Sequence, residues 1–346
     1  MKSGLSLPDS LIDAIRKQEV ILFLGSGAAK GALHLNSKRM PDGAQLRDLL
    51  SDEFLGGNLK DKGLAEVAAI CSHEKSSSHV QEFVRETFLD FQPAKFHLKI
   101  PEFRWHSIVT TNFDLIVERA YENHGGAAQQ QLVTFSKNQA FDRALKNYRD
   151  PVPYLKLHGS IDDISDPNAP LILTPEQYAR YADNRDRLFT KFQEWARDFP
   201  ILFCGYSVSD PNIRAILFNL FDMGISRPTY FVVQPGLSEY EERYWQSNRI
   251  TPVKATLEDF LFALDDKIPT HVRNLSALRS RGGTSLSPFY ATKAPTESSD
   301  LLSFIENDAR HIRRSMPTET QDAVTFYHGL DHAWGGISQG FDIQRG

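Results

Sequence analysis

Apolar positions along this chain fall into two alternating patterns. Short unbroken apolar runs bounded by turn-forming residues read as strands buried on both faces. They cover residues 20–24, 107–110, 152–157, 201–204 and 229–233, with a sixth at 253–255. Between them, apolar residues recur at helical spacing. Residues 8–17 place Leu11, Ile12 and Ile15 on one face, and residues 44–55 do the same with Leu46, Leu49, Leu50 and Phe54. Helices are also predicted at 63–71, 79–91, 113–121, 175–181, 185–198, 210–221 and 257–264. Pro211 suits a first helical turn, where its missing N–H costs nothing. Strand alternating with helix predicts an α/β fold, a parallel sheet covered by helices on both faces. The three helical patterns between the first two strands form a helical insertion.

Near residue 275 the pattern stops. Residues 275–300 are rich in Ser, Thr, Gly and Pro, the composition of a linker or extended arm. Residues 301–314 carry Leu301, Leu302, Phe304 and Ile305 and read as a helix, followed by Phe326, Tyr327, Trp334 and Phe341. The expected organisation is one domain over 1–270, a linker or arm over 271–300, and a helical C-terminal segment over 301–346 that leads into something further.

Composition narrows the function classes. A net charge of −5 over 346 residues gives no overall basic footprint for nucleic acid. Two cysteines, Cys71 and Cys204, exclude a disulfide framework and a four-cysteine zinc site within the chain. Cys204 reads as a small core residue, and the cytoplasm is the expected compartment. No apolar run approaches the roughly 20 residues of a membrane helix.

Chemistry concentrates at strand ends. Gly25-Ser26-Gly27-Ala28-Ala29 leaves the first strand and can bring backbone close to a phosphate, or can be a plain turn. It lacks the Gly-Lys-Ser/Thr ending of a nucleoside-triphosphate loop. Thr110-Thr111-Asn112-Phe113-Asp114 leaves the second. Asn112 can orient a ribose or a water there, or serve as an Asx turn or helix cap, and Asp114 is an early helix-turn carboxylate. Leu157-His158-Gly159-Ser160 leaves the third, where His158 suits general base work or is a satisfied polar residue. The other histidines have no comparable setting, and no third ligand joins His73, Glu74 and His79 in a metal site. Gly205-Tyr206-Ser207-Val208-Ser209-Asp210 leaves the fourth, with Ser207 and Asp210 as oxygen-binding or capping groups.

Taken together in this order, the four motifs resemble those of a Sir2-type NAD-binding domain over roughly residues 11–264. Gly25-Ser26-Gly27 is similar to that family's Gly-Ala-Gly loop, and Thr110 to Asp114 to its Thr-Gln-Asn-Ile-Asp motif. His158-Gly159 is similar to its histidine-glycine, and Gly205-Tyr206-Ser207 to its Gly-Thr-Ser loop. The resemblance implies a Rossmann-like sheet that binds NAD+. Gly25, Ser26, Gly27, Ala28, Thr111, Gly205, Ser207, Asp210 and Gln234 would bind it, and Asn112, His158 and Asp114 would carry catalysis. Two departures stand out. Between His158 and Gly205 only Cys204 occurs, so the four-cysteine zinc module of deacylating sirtuins cannot be built there. Met40-Pro41-Asp42-Gly43 stands where their Phe-Arg pair would be. The pattern is closer to the Sir2-like NAD hydrolases of bacterial antiphage systems. That implies a metal-free NAD+ hydrolase releasing nicotinamide and ADP-ribose. It would act as a toxic effector in abortive infection, as a homo-oligomer or with a fused or bound sensor such as a STAND NTPase, a repeat array, an Argonaute-like protein or a ring ATPase. A silent NAD- or ADP-ribose-sensing module, or an ADP-ribosyl or acyl transfer enzyme, is the alternative.

Overall fold

The computed structural model describes residues 5–124, 128–148, 150–166, 168–206, 211–221, 227–269 and 273. The expected linker and C-terminal helix, and Ser207 to Asp210, lie outside the described residues. Contacts group residues 1–268 and 269–346 as two units, and the fold below is that of the first.

Seven parallel strands form one sheet: β1 Ile21–Leu24, β2 Ser107–Thr110, β3 Gln131–Phe135, β4 Pro151–Lys156, β5 Ile201–Cys204, β6 Tyr230–Val233 and β7 Ile250–Val253. Their order is β3-β4-β2-β1-β5-β6-β7. The helices are α1 Asp9–Arg16, α2 Gly43–Leu55, α3 Leu64–Glu74, α4 Ser77–Leu89, α5 Ile116–His124, α6 Phe141–Leu145, α7 Pro175–Ala179, α8 Asp186–Asp198, α9 Pro211–Phe221, α10 Glu239–Ser247 and α11 Leu257–Lys267. Short 3₁₀ turns cover Ser26–Ala29 and His97–Glu102.

Central strands are buried at every position, as in β1, β2, β5 and β6. One face carries Ile21, Phe23, Val109, Leu155, Phe203 and Val232 in a core with Leu188, Phe189 and Phe192 of α8 and Ile213, Ile216 and Leu217 of α9. The alternate residues Leu22, Ile108, Leu202 and Cys204 are equally buried, so the opposite face is covered too. The insertion α2–α4 has its own core of Leu46, Leu50, Val67, Val80, Val84 and Phe88. Helix α2 is capped at both ends: Asp42 forms a capping box with Gln45, and Gly56 ends the helix in the left-handed region at φ 63°.

The sequence pattern gives no sign of α6, Phe141–Leu145, and needs correction in four further places. The strand expected at 253–255 is β7, Ile250–Val253, and is the seventh rather than the sixth. Edge strand β3 alternates exposed and buried residues and carries no apolar run. Helix α10 buries only Trp245, so its periodicity is faint. The helix expected from residue 113 starts at Ile116; residues 113–115 form a turn, for a reason given below.

Two histidines are more notable than their sequence context suggests. His106 stacks on Phe199 at 3.8 Å, and burial holds its imidazole down to about 4. His97 is 1% exposed, and burial lowers it as well. Both are therefore neutral in the fold, whereas the unfolded chain protonates them near 6.5. As pH falls from 6.5 towards 4 the unfolded state binds more protons, so stability is full above that window and is lost within it. The thermal midpoint should be lower at pH 5 than at pH 7.5, and His106→Phe should shrink the difference. An unchanged difference in that variant would rule out His106 as a source.

Candidate functional site

The chain leaves β1 for the left half of the sheet and returns to the right half at β5, so β1 and β5 flank the topological switch point. Open α/β sheets bind ligands in the crevice outside the carboxyl ends of such strands. Along that edge stand, in spatial order, His158 after β4, Thr111 and Asn112 after β2, Gly25 after β1, Gly205 after β5 and Gln234 after β6. The four motifs of the sequence thus meet on one ledge.

The two glycine loops are interlocked. The Gly25 amide donates to the Cys204 carbonyl at 3.0 Å and the Gly27 amide to the Gly205 carbonyl at 2.8 Å. A Cβ at Gly25 would sit 2.6 Å from the Gly205 oxygen, and one at Gly27 would sit 2.9 Å from Gly205 Cα. Gly205 itself has φ +61° and faces the Ala28 amide. Glycine is needed here for two backbones to touch. The Ala28 amide is also used, on the Gly25 carbonyl at 2.9 Å. The exposed member of the loop is Ser26, whereas Ala28 and Ala29 are buried. Tyr206, next to Gly205, points into the core, its ring 4.7 Å from that of Phe23.

Asn112 joins the second motif to the first. Its Nδ2 donates to the Gly25 carbonyl at 3.0 Å, and its backbone amide donates to Thr110 Oγ1 at 2.9 Å. Thr110 Oγ1 in turn donates to the Leu24 carbonyl at 2.8 Å, tying the ends of β1 and β2 together. Asn112 is therefore no helix cap. That task belongs to Asp114, 6% exposed, whose Oδ1 accepts the Ile116 amide at 3.0 Å and sets the start of α5.

His158 is 3% exposed, and the ring of Tyr178 meets it edge-on with centroids 5.4 Å apart. Its carbonyl accepts the Ile172 amide at 3.0 Å. The β4 loop crosses the β2 loop: the Leu157 amide donates to Thr110 O and the Ile161 amide to Phe113 O. Gly159, at φ +92°, lets the guanidinium of Arg185 approach, a group that also donates to the Ser136, Ala169 and Pro170 carbonyls. Beside this stretch lies an open cleft of about 380 Å³ lined by Ile172, Glu176, Gln177 and Arg180 among others. A second, water-sized cavity of about 10 Å³ lies between Ala28, Thr110, Asn112, Asp114 and His97.

Two residues at the site escaped the sequence reading. His97 accepts the Ala94 amide on Nδ1 at 2.9 Å. The proton of the neutral ring is therefore on Nε2, which donates to the Ala28 carbonyl at 2.9 Å and pins the glycine loop. Lys156 ends β4 fully buried, its Nζ 2.6 Å from the Asp114 carbonyl. A lysine inside an apolar run, two positions before His158, was the available signal. His97 offered none, since the partner that ties it to the site, the Ala28 carbonyl, lies 69 positions away. Among the described residues no group of three or more His, Cys, Asp or Glu could hold a metal ion, and no helix is long and apolar enough to cross a membrane.

A parallel sheet with polar loops gathered at its switch point defines an α/β protein of the Rossmann-like class. More narrowly, residues 106–253 match the model of the SIR2-like domain. The glycine loop lies outside that match and reaches it through the Asn112 contact. Over 214 residues the chain is 25% identical to the NAD(+) hydrolase ThsA of Acinetobacter baumannii, covering 60% of this chain and 40% of that protein. It is 25% identical over 219 residues to the NAD(+) hydrolase ThsA of Enterococcus faecium, covering 60% and 41%. The chain thus spans about two fifths of the length of these relatives. A crystal structure of a SIR2 homolog–NAD complex aligns over 80% of this chain and 98% of that one, at 15% identity and a TM-score of 0.39.

Proposed function

We propose that this chain cleaves NAD+ with water, giving nicotinamide and ADP-ribose, without a metal and without an acylated peptide. The observation that carries the reading is the single ledge on which Asn112 is hydrogen-bonded to Gly25 while His158 ends the strand beyond β2. The names of the two ThsA relatives support the same chemistry.

In this reading the dinucleotide lies along the carboxyl edge. Ser26, Gly27 and Ala28 approach its pyrophosphate together with Gly205, Ser207 and Asp210. Gln234 meets the adenosine ribose. Thr111 and Asn112 face the nicotinamide ribose. The bond from nicotinamide nitrogen to ribose C1′ breaks, and positive charge develops on the sugar. Water supplies the new oxygen at C1′, His158 takes its proton, and nicotinamide leaves as a neutral molecule. Asp114 acts by fixing the turn that presents Asn112.

Free NAD+ cleavage would drain the redox carrier of its own cell, so the activity must be gated. We therefore propose that the enzyme is a cytoplasmic antiviral effector, held silent until self-assembly or a sensor releases it. Residues 271–346 are the proposed contact region.

The test is chromatography of NAD+ incubated with purified protein at several concentrations, with and without acetylated peptide. Nicotinamide and ADP-ribose in equal amounts without peptide are expected. Release only with peptide would overturn the hydrolase in favour of acyl transfer, and unchanged NAD+ at every protein concentration would mean an effector that needs its sensor or a silent binding module.

A further inference from the structure

One buried charge takes no part in the chemistry proposed above. Lys156 is 0% exposed, and its three ammonium protons meet three acceptors. These are the Asp114 carbonyl at 2.6 Å, Glu118 Oε1 at 2.8 Å and, more distantly, the Phe113 carbonyl at 3.4 Å. The parallel register pairs Lys156 with Thr110, so its side chain reaches across the end of β2 to the loop that follows. Glu118, on the first turn of α5, is half-buried with 14% of its side chain exposed; desolvation pushes its carboxyl up against the opposing pull of Lys156.

Stability alone is a poor reason for such a pair. Two buried charges are costly to desolvate, and apolar replacements of similar size are often as stable or more so. What an apolar pair cannot do is hold two carbonyls. Residues 113–115 continue the apolar pattern into α5, yet they form a turn, and Lys156 binds both carbonyls on its inside. The Ile161 amide adds a second donor to Phe113 O.

We infer that Lys156 is a positioning residue: by donating to the Phe113 and Asp114 carbonyls it fixes the turn that presents Asn112 to the ledge, and Glu118 serves to neutralise it. Lys156 also stands two positions before His158, so one short segment sets both the loop of Asn112 and the strand end of the histidine. The geometric claim stands by itself; its catalytic consequence rests on the proposed NAD+ cleavage.

The experiment follows amide hydrogen exchange at Asn112 and Ile116, and NAD+ cleavage kinetics, in the full chain and three variants. Glu118→Gln keeps both carbonyl bonds and should leave exchange and kcat within about 3-fold of wild type, since only the charge partner changes. Lys156→Met/Glu118→Leu should fold with an unchanged or higher thermal midpoint. It should exchange faster at both amides and lose ~100-fold in kcat, with KM near the wild-type value, as a displaced positioning group does. Lys156→Gln/Glu118→Gln, with one donor left, should fall between, and it carries the test if the apolar pair does not fold. Wild-type exchange at Asn112 and Ile116 in either folded double variant would overturn the inference. A wild-type chain that leaves NAD+ intact would bear on the hydrolase reading only, because exchange is read without turnover.

Discussion

Alanine at His158 is expected to cut NAD+ turnover by about 10²- to 10⁴-fold, the range typical of losing a general base. The ring is 3% exposed and touches Tyr178, so its removal also opens a small void. His158→Gln keeps most of that volume and separates the two effects: it should melt near wild type while remaining as slow as His158→Ala. Asn112→Ala should be comparably slow, because it removes the bond that holds the loop on Gly25 and, in the proposed binding mode, the amide that faces the ribose. If turnover survives in all three variants, the site lies elsewhere.

Gly205→Ala is expected to be among the most destabilising single-methyl additions in the protein. The residue has φ +61°, and its new methyl would collide with the Ala28 amide and the Gly27 carbonyl carbon. The left-handed conformation costs a non-glycine residue roughly 1–2 kcal/mol. Forcing a methyl into packed backbone adds roughly 1–3 kcal/mol. Gly236 is the control: its φ is +71°, but a Cβ there meets nothing within 4 Å. Gly236→Ala should cost only the conformational part. Equal thermal midpoints for the two variants would mean that the interlocked loops relax apart without penalty.

The sequence reading succeeded where burial is symmetric. Residues 107–110 and 201–204 were read with the bounds of β2 and β5, because central strands of a parallel sheet are apolar on both faces. It failed at edges. Residues of β3 alternate, and α10 is a charged helix with one buried aromatic, so neither leaves an unbroken or strongly periodic signature. At the site, the strand-end motifs located the ledge, since glycine, asparagine and histidine are unusual directly after apolar runs. They did not reveal what each residue touches. Asn112 resembled a cap, but the cap is Asp114. Gly25 and Gly205 suggested room for a phosphate, and the motifs gave no sign that the two glycines also make room for each other. Such pairings depend on strands about 180 residues apart in sequence lying side by side, and no local pattern encodes that.

The contact of those two glycine loops has a mechanical side. The halves of an open sheet can in principle flex about the line where the chain changes direction. Here that line is clasped at its carboxyl end by the paired amides and carbonyls of two loops, with no side chain between them to act as a spacer or a bearing. The ledge therefore behaves as one beam rather than two leaves. In the proposed NAD+ reading, substrate entry and product exit would be accommodated by the segments bordering it, and a substitution that loosens the clasp would blur the spacing between the two ends of the dinucleotide before it unfolded the domain.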